Sequence, residues 1–182
     1  HNGTWISWPK DDVTFPGKAK EAVEGVYAKA IKALQKKEGV FILVDDAKAE
    51  EYVKQTLSSY NVQITRNIEF HHIPSVDVWK RDYAPTFVRN LAGDVAAVKW
   101  KFNAWGGKYP ALQEDDVSGM QIANKTKFPV FKPDMILEGG AIDSNGSGTL
   151  LTTEQCMLNE NRNPSMNKAK IESMLKEYTG SK

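Results

Sequence analysis

The chain has 182 residues, 41% of them hydrophobic and 10% aromatic, which allows one substantial core and is short for two. Twenty-four Lys and Arg against 23 Asp and Glu leave a formal net charge of +1, so no global field favours nucleic acid or an anionic membrane. The longest purely aliphatic and aromatic run, Val40-Phe41-Ile42-Leu43-Val44, falls far below the ~20 residues of a transmembrane helix, and the one cysteine, Cys156, excludes an intrachain disulfide framework and a Cys cluster for zinc.

These features describe a soluble protein suited to the reducing cytoplasm. The opening His1-Asn2-Gly3-Thr4-Trp5 has no methionine, basic leader or apolar signal core, and reads as a processing or cloning boundary.

In chain order, Thr4 to Trp8 reads as a short strand closed by Pro9. Lys18 to Lys37 reads as an amphipathic helix, with Val23, Val26, Ala30, Ile31 and Leu34 recurring at intervals of three and four, stopped by Gly39. Val40 to Val44 is a buried-strand run, Ala47 to Ser58 a second helix, and Val62 to Thr65 and Ile68 to Ile73 two further strands. Alternation of strand and helix favours an α/β architecture.

Thr86 to Arg89, the turn Leu91-Ala92-Gly93-Asp94 and Val95 to Phe102 read as a hairpin, and Glu114 to Thr126 as a helix. Met135 to Asp143 and Thr149 to Met157 flank Ser144-Asn145-Gly146-Ser147-Gly148, where Asn-Gly between apolar runs signals another hairpin. A polar loop, Asn159 to Asn163, ends at Pro164, and a last helix spans about Asn167 to Tyr178.

Three segments place acids and aromatics in loops, the pattern expected around a flat organic cation. In Trp79-Lys80-Arg81-Asp82-Tyr83-Ala84-Pro85, the carboxylate of Asp82 can accept two parallel hydrogen bonds from a guanidinium fork while the Trp79 indole covers the cation or its methylene tail. The bland alternative is that Asp82 pairs with Arg81 or caps a turn and Trp79 fills core.

Glu138 follows Met135-Ile136-Leu137 and precedes Gly139-Gly140, so an acid sits where a buried strand meets permissive backbone. It needs a cation, either a substrate or an internal Arg. In Phe102-Asn103-Ala104-Trp105-Gly106-Gly107, Trp105 stands beside residues with almost no side chain, as a ligand contact or as the anchor of a packed turn.

Cys156 is rejected as a nucleophile: it falls in an expected strand with no nearby His or Asn to raise its thiolate fraction, and reads as a buried structural thiol. His71 and His72 are adjacent on a strand, point to opposite faces and cannot act as a pair, which argues against a metal site.

Taken together, His1 to Trp5 with Trp8-Pro9, the Trp79 to Val88 segment, Phe102 to Gly107, Glu138 to Asp143 and Leu151 to Pro164 resemble the agmatine deiminase family, which is shared with Porphyromonas-type peptidylarginine deiminases. The resemblance runs across nearly the whole chain. It implies the pentein fold, a five-bladed α/β propeller of ββαβ modules, with residues 1–182 as the N-terminal portion of a single deiminase domain, about its first two to three blades, and the C-terminal blades absent.

It implies a hydrolase that converts agmatine and water to N-carbamoylputrescine and ammonia through a cysteine thiolate, with peptidylarginine deimination or a non-catalytic binding or assembly fragment as alternatives. Asp82 would be one of two carboxylates holding the guanidinium. Trp79 would line the channel for the methylene chain, Glu138 would contact the substrate or hold the geometry, and Trp105 is a further lining candidate. The His-x-Asp pair and the nucleophilic Cys expected of the family lie outside these 182 residues, so the isolated chain is expected to be inactive. No cofactor is implied, and the expected partners are a small cationic guanidino substrate and either a second chain supplying the missing blades or a homo-oligomeric copy.

Lys108 is the one base beside the Ala104-Trp105-Gly106 loop, which favours agmatine, whose distal group is an amine, over a peptide with its carboxylate. Tyr83-Ala84 after Asp82 departs from the small hydroxyl residue and Gly that agmatine deiminases often carry.

Overall fold

The computed structural model describes residues 2–10 and 14–182, and His1 of the opening motif lies outside the described residues. The chain divides into two compact units, residues 1–80 and 81–182, and the division falls within a four-residue helix, α3 (Lys80–Tyr83).

The first unit is a β-α-β-α-β run: β1 (Gly3–Ser7), α1 (Lys18–Leu34), β2 (Gly39–Val44), α2 (Ala47–Ser59) and β3 (Ile68–His72). The strands form an all-parallel sheet in the order β1-β2-β3, with Trp5 opposite Phe41 and Ile42 opposite Phe70. Because side chains alternate along a strand, Val40, Ile42 and Val44 share one face and pack with Ala28 and Ile31 of α1 and Val53 and Leu57 of α2. On the other face Trp5, Phe41 and His71 make an aromatic cluster, with Trp5 4.8 Å from both partners. The α/β expectation holds.

Two expectations change here. Helix α1 ends at Leu34 rather than Lys37 and closes through Gln35, whose N–H reaches Ile31; Gly39 instead opens β2. No strand forms over 62–65. Asn61 turns left-handed (φ 55°) where α2 ends, which drops Val62 alone into the core with its N–H on the Leu57 carbonyl and leaves Gln63 and Ile64 outside.

The second unit holds β4 (Thr86–Arg89) and β5 (Val95–Val98), the expected antiparallel hairpin with its second strand ending at Val98 rather than Phe102, and β6 (Val130–Phe131) parallel to β5. The hairpin turn is tied by Asn90 and Asp94, with Gly93 at φ 96°. Helix α4 (Asp115–Lys125) matches the predicted one. A second antiparallel pair, β7 (Ile142–Ser144) and β8 (Leu150–Thr152), flanks the Asn-Gly turn as expected. Short α5 (Glu154–Met157) and then α6 (Lys168–Thr179) complete the unit, the latter capped by Asn167 and ended by Gly180 at φ 70°.

The expected strands Met135 to Asp143 and Thr149 to Met157 are thus extended over only part of their length. Residues 135–137 pair with Lys101 through one bridge, then Gly139–Ala141 makes a tight helical turn before β7 begins. Thr153 caps α5 through its hydroxyl and ends β8, so Cys156 lies on a helix, not a strand, half-buried against the core of Val98, Trp100, Met135, Leu137, Ile142, Met157, Ile171, Met174 and Leu175.

Candidate functional site

The segment predicted to meet the cation is a loop followed by α3, and the two residues read from it have separate surroundings. Trp79, in the first unit, is 48% exposed, and its indole nitrogen donates to Asp77 Oδ2 at 2.9 Å. Asp77 is buried and also accepts from the Val78 amide (2.7 Å) and the Thr14 hydroxyl (2.8 Å). The indole is therefore tethered by its edge while much of its surface stays open. Desolvation, and secondarily the Asp77 charge, push the Tyr27 phenol above its ordinary range.

Asp82, Trp105 and Glu138 all lie in the second unit, where three stretches of chain converge. Asp82 Oδ1 accepts the Gly140 amide at 2.9 Å, and Oδ2 accepts the Trp105 indole N–H at 3.1 Å. Both donors are neutral, so the bland pairing of Asp82 with Arg81 is not what the fold uses: Arg81 donates to the Ile142 carbonyl at 3.0 Å. A carboxylate offers about four lone-pair sites, and two neutral N–H donors fix its plane while leaving acceptor capacity for a guanidinium fork.

The glycines are required by this convergence. A Cβ on Gly139 would lie 2.1 Å from the Arg81 carbonyl oxygen, and one on Gly140 would lie 2.3 Å from Asp82 Oδ1. Any side chain at either position would push the Glu138 segment off the Asp82 helix.

Trp105 reaches Asp82 from an unusual turn. Ala104, Trp105, Gly106 and Gly107 all have positive φ (54°, 56°, 79° and 76°), making one left-handed turn. Left-handed geometry costs roughly 1–2 kcal/mol for each residue with a side chain, here Ala104 and Trp105. Asn103 offsets part of this by accepting the Gly106 amide on Oδ1 at 2.8 Å, and its carbonyl accepts the Gly107 amide at 2.8 Å. The indole packs edge-on against Phe102 (5.1 Å) and Tyr109 (5.8 Å). So the contrast of one large aromatic beside residues with almost no side chain reflects a backbone requirement as well as room.

The strand that leads into this turn is held by Lys99, whose side chain is almost fully buried. Its ammonium donates to Asp116 at 2.6 Å and to the Trp100 carbonyl, and Asp116 also accepts the Phe102 amide at 2.7 Å. Desolvation lowers the Lys99 pKa, and the hydrogen bond that Lys99 donates to Asp116 opposes that shift.

Glu138 is buried, and its partner is internal: Arg162 Nε donates to Oε1 at 2.6 Å. Of the two partners the sequence left open, the fold supplies the arginine. Asn163, one residue on, pins the segment before Glu138 by accepting the Ile136 amide and donating to the Ile136 carbonyl, both at 2.9 Å.

Sequence reasoning missed Asp77, Arg162 and Asn163. The signal for Arg162 was present: an acid at the end of an apolar run demands a cation, and the Asn159 to Asn163 loop contains an arginine. His71 and His72 do diverge, His72 reaching Glu50 at 2.7 Å and His71 stacking in the aromatic cluster.

Among known proteins, a "Putative agmatine deiminase" of Mycoplasma capricolum is 37% identical over 184 residues, covering 99% of this chain and 48% of that protein. One from Yersinia pseudotuberculosis is 37% identical, covering 98% of this chain and 48% of that protein. The solved agmatine deiminase of Enterococcus faecalis superposes with a TM-score of 0.84 at 29% identity, over 100% of this chain and 48% of that one. A C. jejuni agmatine deiminase with substrate bound gives 0.77 at 30% identity, over 100% and 51%.

The chain spans about half the length of the curated relatives it matches. Porphyromonas-type peptidyl-arginine deiminase is the family whose sequence pattern matches residues 1–182. With a mixed α/β fold shared with solved deiminases and this sequence match from end to end, the chain belongs to the Porphyromonas-type peptidyl-arginine deiminase family.

Proposed function

We propose that this chain carries part of the guanidino-binding site of an agmatine deiminase, a hydrolase that turns agmatine and water into N-carbamoylputrescine and ammonia and feeds putrescine synthesis in the cytoplasm. The observation that supports it most is Asp82: its carboxylate is oriented by the Trp105 indole and the Gly140 amide, both neutral, and so keeps its charge for a cation from outside. The relatives named for agmatine deimination support the choice of substrate.

In this reading the planar guanidinium forks onto Asp82, and the half-exposed indole of Trp79 is assigned to the methylene chain. Trp105 lines the site and orients the acid, while Glu138 contacts the substrate or holds the geometry. A cysteine thiolate outside these residues attacks the central guanidinium carbon, and ammonia leaves after taking a proton from a histidine that also lies outside them; that histidine then deprotonates the water that cleaves the amidino thioether, releasing the thiolate and the neutral ureido product. Carbon and nitrogen balance, and the guanidinium's positive charge leaves as ammonium, without a cofactor. Residues 1–182 would form the first two to three ββαβ blades of a single pentein domain, completed by the rest of the same polypeptide, a second chain or a further copy.

The test is to incubate the complete gene product with agmatine and with a peptidyl-arginine substrate, and to measure ureido product and ammonia. Turnover of agmatine, lost on Asp82→Asn, is the expected result. Turnover of the peptide alone would move the assignment to protein deimination, the activity for which the family is described. Turnover of neither by a folded protein would leave a binding or assembly role. The isolated 182 residues should release no ammonia from agmatine, and cysteine-dependent release abolished by Cys156→Ser would overturn that.

A further inference from the structure

Arg162 makes connections that no substrate-binding role accounts for. Its side chain is 12% exposed, and its donors point in divergent directions: Nε to Glu138 Oε1 at 2.6 Å, Nη1 to Asn161 Oδ1 at 2.7 Å. The same Nη1 lies against the backbone of Gly106, where a Cβ would come within 2.1 Å of it. The Asn161 carbonyl accepts from Asn103 Nδ2 at 2.8 Å, and Asn103 in turn holds the Gly106 amide.

One planar cation thus joins the Glu138 to Gly140 segment to the left-handed turn. Those two stretches supply the two donors that fix Asp82, the Gly140 amide and the Trp105 indole.

We propose that Arg162 is a positioning residue for this site: it keeps the Gly140 and Trp105 donors in register with the Asp82 carboxylate, and Glu138 serves as its counter-ion rather than as a substrate contact. The consequence for turnover rests on the deiminase reading; the geometric claim does not. A guanidinium suits the task because its rigid fork can serve two acceptors at a set angle, whereas a lysine supplies charge at a single point. The turn also needs an external hold, since two of its residues occupy backbone conformations that side chains disfavour.

The first readout uses this chain itself. In 15N-labelled protein the indole N–H resonance of Trp105, assigned through Trp105→Phe, reports its bond to Asp82. Arg162→Gln should shift or broaden that resonance while those of Trp5 and Trp8 in the first unit stay in place, and Arg162→Lys should give an intermediate displacement. If the glutamine variant fails to fold, the lysine variant decides. An unmoved Trp105 resonance in a folded variant would overturn the proposal.

The second readout is kcat/KM for agmatine in the complete gene product. Arg162→Gln should lower it on the order of 10²-fold, mostly in kcat, with partial recovery in Arg162→Lys, as expected for a small misplacement of a holding group. Unchanged kcat/KM beside a displaced indole would refute the catalytic consequence. An inactive wild-type protein would instead sink the deiminase reading and leave the indole readout to judge Arg162.

Discussion

The two units are stabilised by different means. In the first, three parallel strands and two helices bury a core of mainly aliphatic side chains, although α1 turns in Glu24, Gly25, Ala28 and Ile31 and leaves Val26, expected on the buried stripe, exposed. In the second, strands of two to four residues are held in place by buried polar pairs, glycine-enabled close approaches and a left-handed turn. Every candidate acid and aromatic but Trp79 lies in the second. The lesson is that the periodic unit gives a stable base, while the irregular one spends conformational strain to aim particular atoms.

Several substitutions can break or sharpen this contrast. The largest loss is expected from cutting the buried ion pair of the second unit: Arg162→Met should cost about 3–5 kcal/mol in urea unfolding, because it strands the Glu138 charge. The double variant with Glu138→Leu should recover most of that. A double variant as unstable as the single one would mean the pair is not where the cost arises.

In the first unit the equivalent probe is apolar. Leu57→Ala, at a fully buried position, should cost about 2–5 kcal/mol through a cavity. If both units melt together in the two variants, probed by Trp8 and Trp105 fluorescence in single-tryptophan backgrounds, the division is one of architecture and not of stability.

Next in size is Asn103→Ala, which removes the side-chain acceptor of the left-handed turn and should cost about 1 kcal/mol. An undiminished unfolding midpoint would show that Arg162 and Asn161 suffice to hold it.

The smallest effects are in pH dependence, where stability rises with pH in both units but in different windows. Lys99 is lowered in the folded state by burial, so the unfolded chain holds its proton to higher pH, and stability rises between the folded value and the ordinary 10.5. Lys99→Met should abolish that rise.

Glu50 is lowered first by the hydrogen bond from Lys54 and then by the one from His72, so its contribution is present above the ordinary 4.5 and is lost as pH falls through the folded value. On an exposed helix it is worth only ~0–1 kcal/mol, read as a difference from Glu50→Gln in acid unfolding.

Legibility in the sequence follows the same division. Helix α2 and strand β2 were readable almost to the residue, since their apolar spacing is the force that forms them. Val62 to Thr65 failed because a single left-handed Asn61 outweighed β-propensity over four residues. Met135 to Asp143 failed because the apolar run is recruited through a single bridge and then turned by Gly139-Gly140.

At the site, Asp82, Glu138 and Trp105 were visible as acids and aromatics out of place, and the fold does bring Trp105 and Gly140 onto Asp82. The need of Glu138 for a cation was visible, but nothing short of tertiary contact singles out Arg162 to meet it, and Asp77, which holds the Trp79 indole, looks like an ordinary loop acid until it is buried. The assignment of Cys156 to a strand failed for a local reason, the Thr153 cap that starts a helix.

The turn at residues 104–107 has one more implication. For those four positions the chain adopts the conformation that residues of opposite handedness prefer, and two of the four are already the achiral residue. At Gly107, with φ at 76°, a D-alanine introduced by chemical synthesis should rigidify the turn, since its preferred φ is the one already in place. Protein built in this way would present the Trp105 indole with less freedom than any genetically encoded variant can achieve.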